Sequence, residues 1–453
     1  MKFIGRTEEL RRIRKALSAP AGAVLLYGKR RVGKTTLIKE ALKKIDAVKI
    51  LYTCMPIEME KNAEALSSTV LNELGLAPLS FKDFPSLFKF LSTRNEKIVI
   101  ILDEYQDLKQ KADSDYVDSL FRTIIDNLGE NISILLSGSS IRVMSALNKS
   151  DNPLYERFSE EISLKELTYL EASEFYPECS VRDKIIYYSV FGGMPLLNQK
   201  IDPTLSVRKN IIKLFADPNG IAYSYAKSVA DIEIASINDA FIIISRIGNG
   251  KLRYSEIASM LANDSSRKQL SRTLKALIDS ELIRKRYPIN SDNKKHVFYE
   301  LSSNSLRFYF TYLLNLEGSL EISNKVFFEH YIEPSLNTFV SYRFEDIACS
   351  WFSILSKKDK RNDILRIGSY WYNNPKNRKN GEFDVALETK TGYEIYECKF
   401  LEQPASISLI KDEKRKAEEI EGIRIARFGM ISSSGFEDKV EGVIEIEGKE
   451  LYS

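Results

Sequence analysis

The first third of the chain alternates short apolar runs with polar, helix-forming sequence. Apolar runs of about five residues are typical of buried strands, whereas apolar residues three and four positions apart indicate a helix. Strands are predicted at residues 23–27, 47–53, 98–102 and 132–136, and a helix at residues 35–44. Strands that alternate with helices predict an α/β fold with a parallel sheet.

The middle of the chain follows a different pattern. Helices are predicted up to Gly248 or Gly250, at 255–261 and at 267–279, and strands at 282–287 and 297–301, joined by a polar turn at 290–295. Three helices followed by a hairpin predict a winged helix.

The last third begins with a helical stretch after residues 308–310. Pro334 is expected to open a helix that runs to about residue 354, because proline is favoured in the first turn. Residues 383–387 and 393–400 are strand-like and flank a turn at 388–392, which predicts a β-hairpin. This part of the chain is predicted to be a smaller α/β domain.

Length and composition limit the class of protein. The 453 residues exceed one hydrophobic core and predict about three domains. Hydrophobic content of 43% and charged content of 28% are ordinary for a globular protein. No apolar run approaches the roughly 20 residues that span a bilayer, and the start lacks a signal-peptide pattern. We therefore expect a cytoplasmic protein without a membrane partner.

Charge and residue usage narrow the chemistry. A net charge of +3 is small for this length, so any nucleic-acid surface must be a local patch. The four cysteines are far apart in sequence and indicate neither a zinc knuckle nor a disulfide framework. With only His296 and His330 available, most histidine-based metal and catalytic sites are excluded. Carboxylates, lysine and arginine must supply the chemistry.

Residues 28–36, GKRRVGKTT, carry the GxxxxGK[ST] phosphate-binding motif between the predicted strand and helix. The defining positions are Gly28, Gly33, Lys34 and Thr35. The remaining binding positions in the loop are Arg31, Val32 and Thr36. The loop N–H groups would surround phosphate oxygens, while Lys34 reaches the β and γ phosphates and the Thr35 hydroxyl takes a Mg²⁺ position. The motif predicts binding of ATP or ADP with Mg²⁺; the alternative is a glycine-rich turn that binds nothing.

Two acids follow the predicted strand at residues 98–102. Because ligands in open α/β sheets lie at the carboxyl ends of strands, Asp103 fits a residue that holds Mg²⁺ and Glu104 fits the general base for water. Residues 137–140, SGSS, follow the next strand. A hydroxyl there could sense the γ-phosphate, or the serines and glycine could simply end the strand.

The third helix of the predicted winged helix has a basic face. Its apolar positions Leu270, Leu274 and Leu277 repeat at helical spacing and are expected to face the core. The basic positions left toward solvent are Arg267, Lys268, Arg272 and Lys275, and further basic residues lie at 284–286 and 294–295. This face predicts binding of duplex DNA through phosphates; the alternative is a winged helix used for protein packing.

The predicted hairpin brings acids together. A symmetric turn pairs Glu388 with Tyr393 and hence Asp384 with Glu397, and strand alternation puts Lys399 on the face of Glu397. Opposed carboxylates require a positive charge between them, which Mg²⁺ would supply. The pattern resembles the D…ExK signature of PD-(D/E)XK nucleases, with Glu345 matching their helix carboxylate. A solvated hairpin and a nuclease fold without activity are the alternatives.

The order of several motifs resembles the archaeal ATPase family, a STAND branch of AAA-related P-loop ATPases. The motifs are FIGRTEEL at 3–10, the P-loop, LDEYQDL at 102–108, LLSGSS at 135–140, LYERF at 154–158 and GGMP at 192–195. The resemblance implies that Ile4, Gly5 and Arg6 border the adenine and that a helical lid over residues 166–232 brings Pro195 to the nucleotide. It also implies that Arg157 contacts the γ-phosphate or a neighbouring subunit; the alternative is a surface ion pair with Glu156 or Glu160.

Together these features predict four domains: a P-loop core at 1–165, a lid at 166–232, a winged helix at 233–305 and a nuclease-like domain at 306–453. The leading hypothesis is an ATPase that acts on DNA, possible as a homo-oligomer. The alternatives are a nucleotide switch with a partner-binding C-terminal domain and a replication-initiator-like DNA binder.

Overall fold

The computed structural model describes residues 3–77, 79–248, 250–261, 264–290, 297–314, 323–374, 379–420 and 422–453. The chain separates into two compact units, Met1–Glu166 and Leu167–Ser453. Among the described helices, none is long and apolar enough to cross a membrane.

The first unit is built around a five-stranded parallel sheet. Its strands are β1 (Ala23–Tyr27), β2 (Val48–Thr53), β3 (Ile98–Asp103), β4 (Ile132–Gly138) and β5 (Glu160–Ser163), in the order β2-β3-β4-β1-β5. Every residue of β1 and β4 is buried, which explains why both strands are continuous apolar runs. This order places the carboxyl ends of β3, β4 and β1 side by side.

Helices cover the sheet of the first unit. They are α1 (Thr7–Ser18), α2 (Lys34–Leu42), α3 (Met59–Glu73), α4 (Phe84–Ser92), α5 (Ser114–Asp126) and α6 (Ile141–Ala146), with a 3-10 helix at Tyr105–Gln110. Local sequence fixes several of their starts. At α4 the Asp83 carboxylate accepts a hydrogen bond from Ser86 N at 2.7 Å, and at α5 Asp113 accepts one from Tyr116 N at 2.8 Å.

The second unit begins with a series of helices, in the region that the sequence predicted to be helical. They are α7 (Tyr169–Ser173), α8 (Val181–Phe191), α9 (Pro195–Asn198), α10 (Val207–Ile211) and α11 (Ile221–Ser228), with π-helical segments at Ile212–Ala216 and Val229–Ile234. The Thr168 and Glu171 side chains form a capping box at the start of α7.

The next segment has the element order of the predicted winged helix. Its helices are α12 (Ala240–Ile247), α13 (Tyr254–Met260) and α14 (Asp264–Asp279), and its strands are β6 (Leu252–Arg253), β7 (Ile283–Arg286) and β8 (Phe298–Leu301), in the antiparallel order β6-β8-β7. The short strand β6 was not predicted. Most of the predicted polar turn, including residues 294 and 295, lies outside the described residues.

The C-terminal part packs helices against a second five-stranded sheet. The helices are α15 (Asn304–Tyr312), α16 (Asn324–Phe327), α17 (Glu333–Lys357) and α18 (Ile407–Glu418), with a π-helical segment at Phe328–Ile332 and a 3-10 helix at Gly448–Tyr452. The strands are β9 (Ile364–Asn374), β10 (Lys379–Thr389), β11 (Gly392–Lys399), β12 (Ile425–Ser432) and β13 (Ile444–Glu447). They lie in sequence order, antiparallel from β9 to β11 and parallel from β11 to β13.

Candidate functional site

The phosphate-binding loop connects β1 to α2. A Cβ atom on Gly28 would lie 2.4 Å from Leu164 O, so only glycine fits against that carbonyl. Gly33, directly before α2, has φ of 103°, and Arg31 has φ of 65°. Glycine reaches such conformations without steric cost, which lets the backbone turn its N–H groups inward ahead of the helix N-terminus.

The Lys34 ammonium lies across this loop. Its side chain is buried, and Nζ donates hydrogen bonds to Gly28 O at 2.9 Å and to Lys29 O at 3.2 Å. Neutral carbonyls hold the ammonium without cancelling its charge. The geometry therefore leaves a positive group at the mouth of a loop suited to phosphate.

The acid after β3 contacts the hydroxyl at the start of α2. Thr35 Oγ1 donates to Asp103 Oδ2 at 3.0 Å. A hydroxyl and a carboxylate side by side match the oxygen ligands that Mg²⁺ prefers. These two residues fit a magnesium ion bound with a nucleotide.

Glu104 is held beside them by hydrogen-bond donors. Its Oε2 accepts from Ser139 Oγ at 2.7 Å, from Ser139 N at 3.0 Å and from Gln106 Nε2 at 2.5 Å. Burial would raise the pKa of Glu104, but these hydrogen bonds and the charge of Lys34 lower it below its usual value. The carboxylate is thus kept charged at neutral pH. One of the hydroxyls at 137–140 therefore contacts the predicted base, which sequence alone left open.

The residues expected at the adenine lie before α1. Gly5 and Arg6 have φ of 65° and 62°, and Ile4 precedes them. The Arg6 guanidinium is buried and donates to Lys165 O and to Glu9 Oε1. The role of these residues at a nucleotide stays a prediction.

Two residues suggested by the family resemblance have other surroundings. Arg157 Nε lies 2.6 Å from Asp126 Oδ1, so its partner is neither Glu156 nor Glu160 as the surface alternative expected. Pro195 is the first residue of α9, in the second unit. Their action on nucleotide remains a prediction.

The hairpin of β10 and β11 has the predicted register, in which Glu388 pairs with Tyr393. The paired residues end at Val385 and Tyr396, one position before Asp384 and Glu397, so the pairing of these two acids stays a prediction. On its other side β10 has a bulge, because Phe383 pairs with Tyr370 but Ala386 pairs with Gly368. Bulges of this kind redirect a side chain, and here the extra residue falls at Asp384 or its neighbour.

The charges around this pair are unbalanced. Glu397 Oε2 lies 3.4 Å from Lys399 Nζ, and the same ammonium lies 3.2 Å from Glu413 Oε1. Burial and the charge of Asp384 raise the pKa of Glu397 to about 8. Burial also raises the pKa of Asp384, although Cys398 N donates to its Oδ2 at 2.9 Å. Lys399 interacts with three carboxylates, Asp384, Glu397 and Glu413. A further cation between them would offset the negative charge that remains.

Glu345 is the third carboxylate of the predicted metal site. Within the described ranges no group of three or more His, Cys, Asp or Glu side chains is arranged to hold a metal ion. Glu345 Oε2 instead lies 3.6 Å from Arg286 Nη2. Burial and the charge of Asp384 also raise the pKa of Glu345 well above its usual value, so Glu345 lies near Asp384. That the three carboxylates hold one metal ion stays a prediction.

The basic face of α14 has the predicted orientation. Leu270, Leu274 and Leu277 are buried, and the four basic residues Arg267, Lys268, Arg272 and Lys275 are exposed. Arg267 Nε also donates to Leu261 O at 3.2 Å.

The expectation that Arg284 and Arg286 meet phosphates is wrong. Arg284 lies 2.6 Å from Glu300 and 2.9 Å from Asp346, and Arg286 lies 3.3 Å from Asp346. Only Lys285 of this basic run is left exposed without such an ion pair among the described residues. The two arginines bind carboxylates of the same unit because β7 packs beside β8 and α17.

Three residues at these sites were not predicted. Gln106 and Ser139 hold Glu104, and Glu413 shares Lys399. The serine-rich end of β4 was a signal for Ser139, but nothing in the local sequence marks Glu413 on α18. The four cysteines are free, as expected, with Cys54 and Cys398 buried.

The parallel sheet, the loop after β1 and the acids after β3 define a P-loop ATPase. Residues 3–197 match the family described as an ATPase domain predominantly from Archaea. Residues 309–420 match a family of archaeal and bacterial proteins of unknown function. The match over residues 3–197 confirms the resemblance to archaeal ATPases seen in the sequence.

Three individual proteins are similar to this chain. An uncharacterized protein of Methanocaldococcus jannaschii is 27% identical over 378 residues, 82% of each chain. The Walker-type ATPase of Pyrococcus abyssi has a TM-score of 0.52 at 18% identity, covering 68% of this chain and 96% of that one, which shows a shared fold. The ORC2 protein of Aeropyrum pernix, in complexes with ADPNP and ADP, has a TM-score of 0.44 at 14% identity, covering 71% and 95% of the two chains.

Proposed function

We propose that the P-loop ATPase unit binds ATP with Mg²⁺ and hydrolyses it to ADP, with Glu104 as the general base. The observation that carries this proposal is the hydrogen bond between Thr35 and Asp103, with the charged Glu104 next in the chain. A hydroxyl, a carboxylate and a base at one edge of the sheet suit the transfer of a phosphoryl group to water.

Each residue of the site has a separate role in the proposed hydrolysis. The loop N–H groups and Lys34 bind the phosphates and offset the negative charge that grows on them. Bound Mg²⁺, held through Thr35 and Asp103, would neutralise the β and γ phosphate oxygens. Glu104 accepts the proton of the attacking water, and Ser139 fixes its carboxylate in position.

The first experiment replaces the loop lysine. Lys34→Ala should lower nucleotide affinity and reduce ATP turnover by at least about 100-fold, because the buried ammonium is lost from the phosphate site. The matched control is Arg30→Ala, in the exposed part of the same loop. The measurement is phosphate release with Mg²⁺ and with EDTA. Equal turnover in Lys34→Ala and Arg30→Ala, or turnover that is unchanged by EDTA, would contradict the proposal.

A second candidate activity is phosphodiester hydrolysis by the C-terminal sheet. The observation that favours it is the bulge beside Asp384, with Glu397 and Lys399 on the neighbouring strand. Burial raises the pKa of both carboxylates, and a bound cation would favour their charged forms. We propose that Asp384 and Glu397 bind a divalent cation and that Lys399 interacts with a DNA phosphate.

This second activity has its own test. The full-length protein is incubated with plasmid DNA and Mn²⁺ or Mg²⁺, and melting temperature is recorded with and without the metal. Asp384→Asn should abolish both nicking and the metal-dependent rise in melting temperature, whereas Glu388→Gln, on the same strand, should retain them. Nicking by Asp384→Asn at the wild-type rate would remove the claim.

The exposed basic face of α14 supports DNA as the substrate of such an activity. Four basic side chains on one helix, above a buried leucine row, suit contacts to phosphates that do not depend on base sequence. Nucleotide turnover in the first unit would then control how the second unit acts on DNA.

A further inference from the structure

A cavity of about 510 Å³ lies along α17 in the second unit. Other parts of its wall come from the end of α12, from β7 and β8, and from α15. The α17 residues that line it are Ser335, Thr338, Phe339, Tyr342, Arg343 and Glu345. Ten residues of helix separate the first from the last, so the cavity follows α17 for about 15 Å.

The cavity has an accessible mouth and a buried floor. Ser335, Thr338 and Tyr342 are exposed, with Tyr342 at 59%. Arg307 and Arg343, which also line the cavity, are only 4% and 5% exposed. A ligand can therefore enter from solvent and reach two buried guanidinium groups. A volume between about 300 and 1,000 Å³ is typical of small-molecule sites.

Each of the two arginines has a buried hydrogen-bond donor without an acceptor in the described part of the chain. Arg307 Nη2 donates to Leu301 O at 2.7 Å, and Arg343 Nη1 donates to Asp346 Oδ2 at 3.0 Å. The Nε atoms of both side chains are buried and have no hydrogen-bond partner among the described residues. Buried N–H donors are almost always paired in folded proteins, so these two call for an acceptor supplied from outside.

The acids of the cavity wall, by contrast, are engaged. Glu382 pairs with Lys251, Glu345 lies 3.6 Å from Arg286, and Glu300 lies 3.5 Å from Arg307. Asp384 accepts from Cys398 N. Among the buried polar side-chain atoms of the described cavity wall, those without a hydrogen-bond partner are the Nε donors of Arg307 and Arg343, which favour an anion.

Positive charge is in excess around the floor. Three acids, Glu300, Glu345 and Asp346, are shared by four arginines, Arg284, Arg286, Arg307 and Arg343. Burial and the nearby charge of Arg343 lower the pKa of Arg307 to about 9. An anion on the two guanidinium groups would offset this repulsion.

We propose that this cavity binds a small organic phosphate of mononucleotide size. Its phosphate lies on Arg307 and Arg343, because planar guanidinium groups match phosphate oxygens with paired donors. Its ring packs against Phe339 and Tyr312 in the same cavity. The site is separate from the phosphate-binding loop but shares Asp384 with the hairpin site, and binding there requires neither ATP hydrolysis nor DNA cleavage.

The test is calorimetric titration of full-length protein with AMP, inorganic phosphate and adenosine. The same titrations are run on Lys34→Ala, in which the loop is disabled. AMP should bind saturably at one site in both proteins, inorganic phosphate should compete with it, and adenosine should bind at least about 10-fold more weakly. Loss of AMP binding in Lys34→Ala would assign it to the loop and overturn the proposal.

Two substitutions locate the site. Thr338→Trp fills the mouth without changing charge and should weaken AMP binding at least about 10-fold, whereas Ser350→Trp, on an exposed part of α17, should leave it unchanged. Arg343→Gln should have the effect of Thr338→Trp; if it fails to fold, Thr338→Trp decides alone. Three results would each overturn the proposal. They are an AMP affinity that is unchanged in Thr338→Trp, no saturable binding of AMP by the wild type, and binding of benzoate, a ring with a carboxylate in place of a phosphate, as tight as that of AMP.

Discussion

The phosphate-binding loop and the β10–β11 hairpin both bring carboxylates to neighbouring strands, but they hold them in opposite states. Glu104 accepts three hydrogen bonds from neutral donors, and its pKa lies below the usual value. Burial, together with the charges of Asp384 and Glu413, raises the pKa of Glu397 to about 8. Neutral donors keep a buried carboxylate charged, whereas neighbouring carboxylates favour its protonation.

The two sites differ in whether their carboxylates are already charged before a ligand binds. The loop in the first unit has its base charged and positioned before any ligand arrives. At the hairpin, Glu397 must release a proton before it can bind a cation, so metal binding is coupled to pH. The two sites therefore differ in the free energy needed to ionise their carboxylates, and this free energy can be measured.

The largest effect expected within this comparison is on stability at the hairpin. The folded state keeps the Glu397 proton up to about pH 8, whereas the unfolded chain releases it near the ordinary glutamate value. The folded chain thus binds more protons at intermediate pH, and its stability falls as pH rises toward 8. Between pH 6 and pH 8, without divalent cations, Glu397→Gln should remove roughly 2 kcal/mol of this loss.

Urea unfolding of the full-length chain at the two pH values measures this effect. Glu418→Gln, an exposed position on α18, is the matched control and should keep the pH dependence of the wild type. Added Mn²⁺ should stabilise the wild type more at pH 8 than at pH 6, since it replaces the released proton. The same pH dependence in wild type and Glu397→Gln would show that the two sites do not differ in this way.

A smaller effect is expected on DNA affinity at α14, where the charges are exposed. Arg272→Glu combined with Lys275→Glu should weaken duplex DNA binding about 10-fold and lower the slope of log affinity against log salt by about 2. Fluorescence anisotropy at two salt concentrations measures both quantities. Lys61→Glu with Lys89→Glu, on exposed positions of the first unit, is the control. Equal losses in both double variants would assign the effect to net charge alone.

The sequence predicted four of the five strands of the first sheet but only the β10–β11 hairpin of the second, where the interior strand β12 and the edge strand β13 were missed. The fully buried strands β1 and β4 are clear apolar runs, and the hairpin turn sets the register in which Glu388 pairs with Tyr393. The edge strands β5 and β9 were missed, because polar residues interrupt them and neither an apolar run nor alternation marks them.

Side-chain partners far away in sequence explain the errors at the sites. Arg284 pairs with residues 16 and 62 positions away, so its chain neighbourhood gave no sign that it was already engaged. Arg286 likewise lies 3.6 Å from Glu345, a residue far away in sequence, so its chain neighbourhood gave no sign of this ion pair. Loop motifs were predictable because their residues act through the local backbone.

The central claim, that Glu104 is the charged base of a P-loop ATPase, is tested most directly by single-turnover hydrolysis of Mg²⁺-ATP. Glu104→Gln keeps the size and the hydrogen-bonding capacity of the side chain but cannot take up the proton. We expect it to bind ATP as the wild type does and to hydrolyse it at least about 100-fold more slowly. The control is Asp107→Asn, which changes another acid three positions further along the chain and should hydrolyse ATP at close to the wild-type rate. Hydrolysis by Glu104→Gln at the wild-type rate would contradict the account.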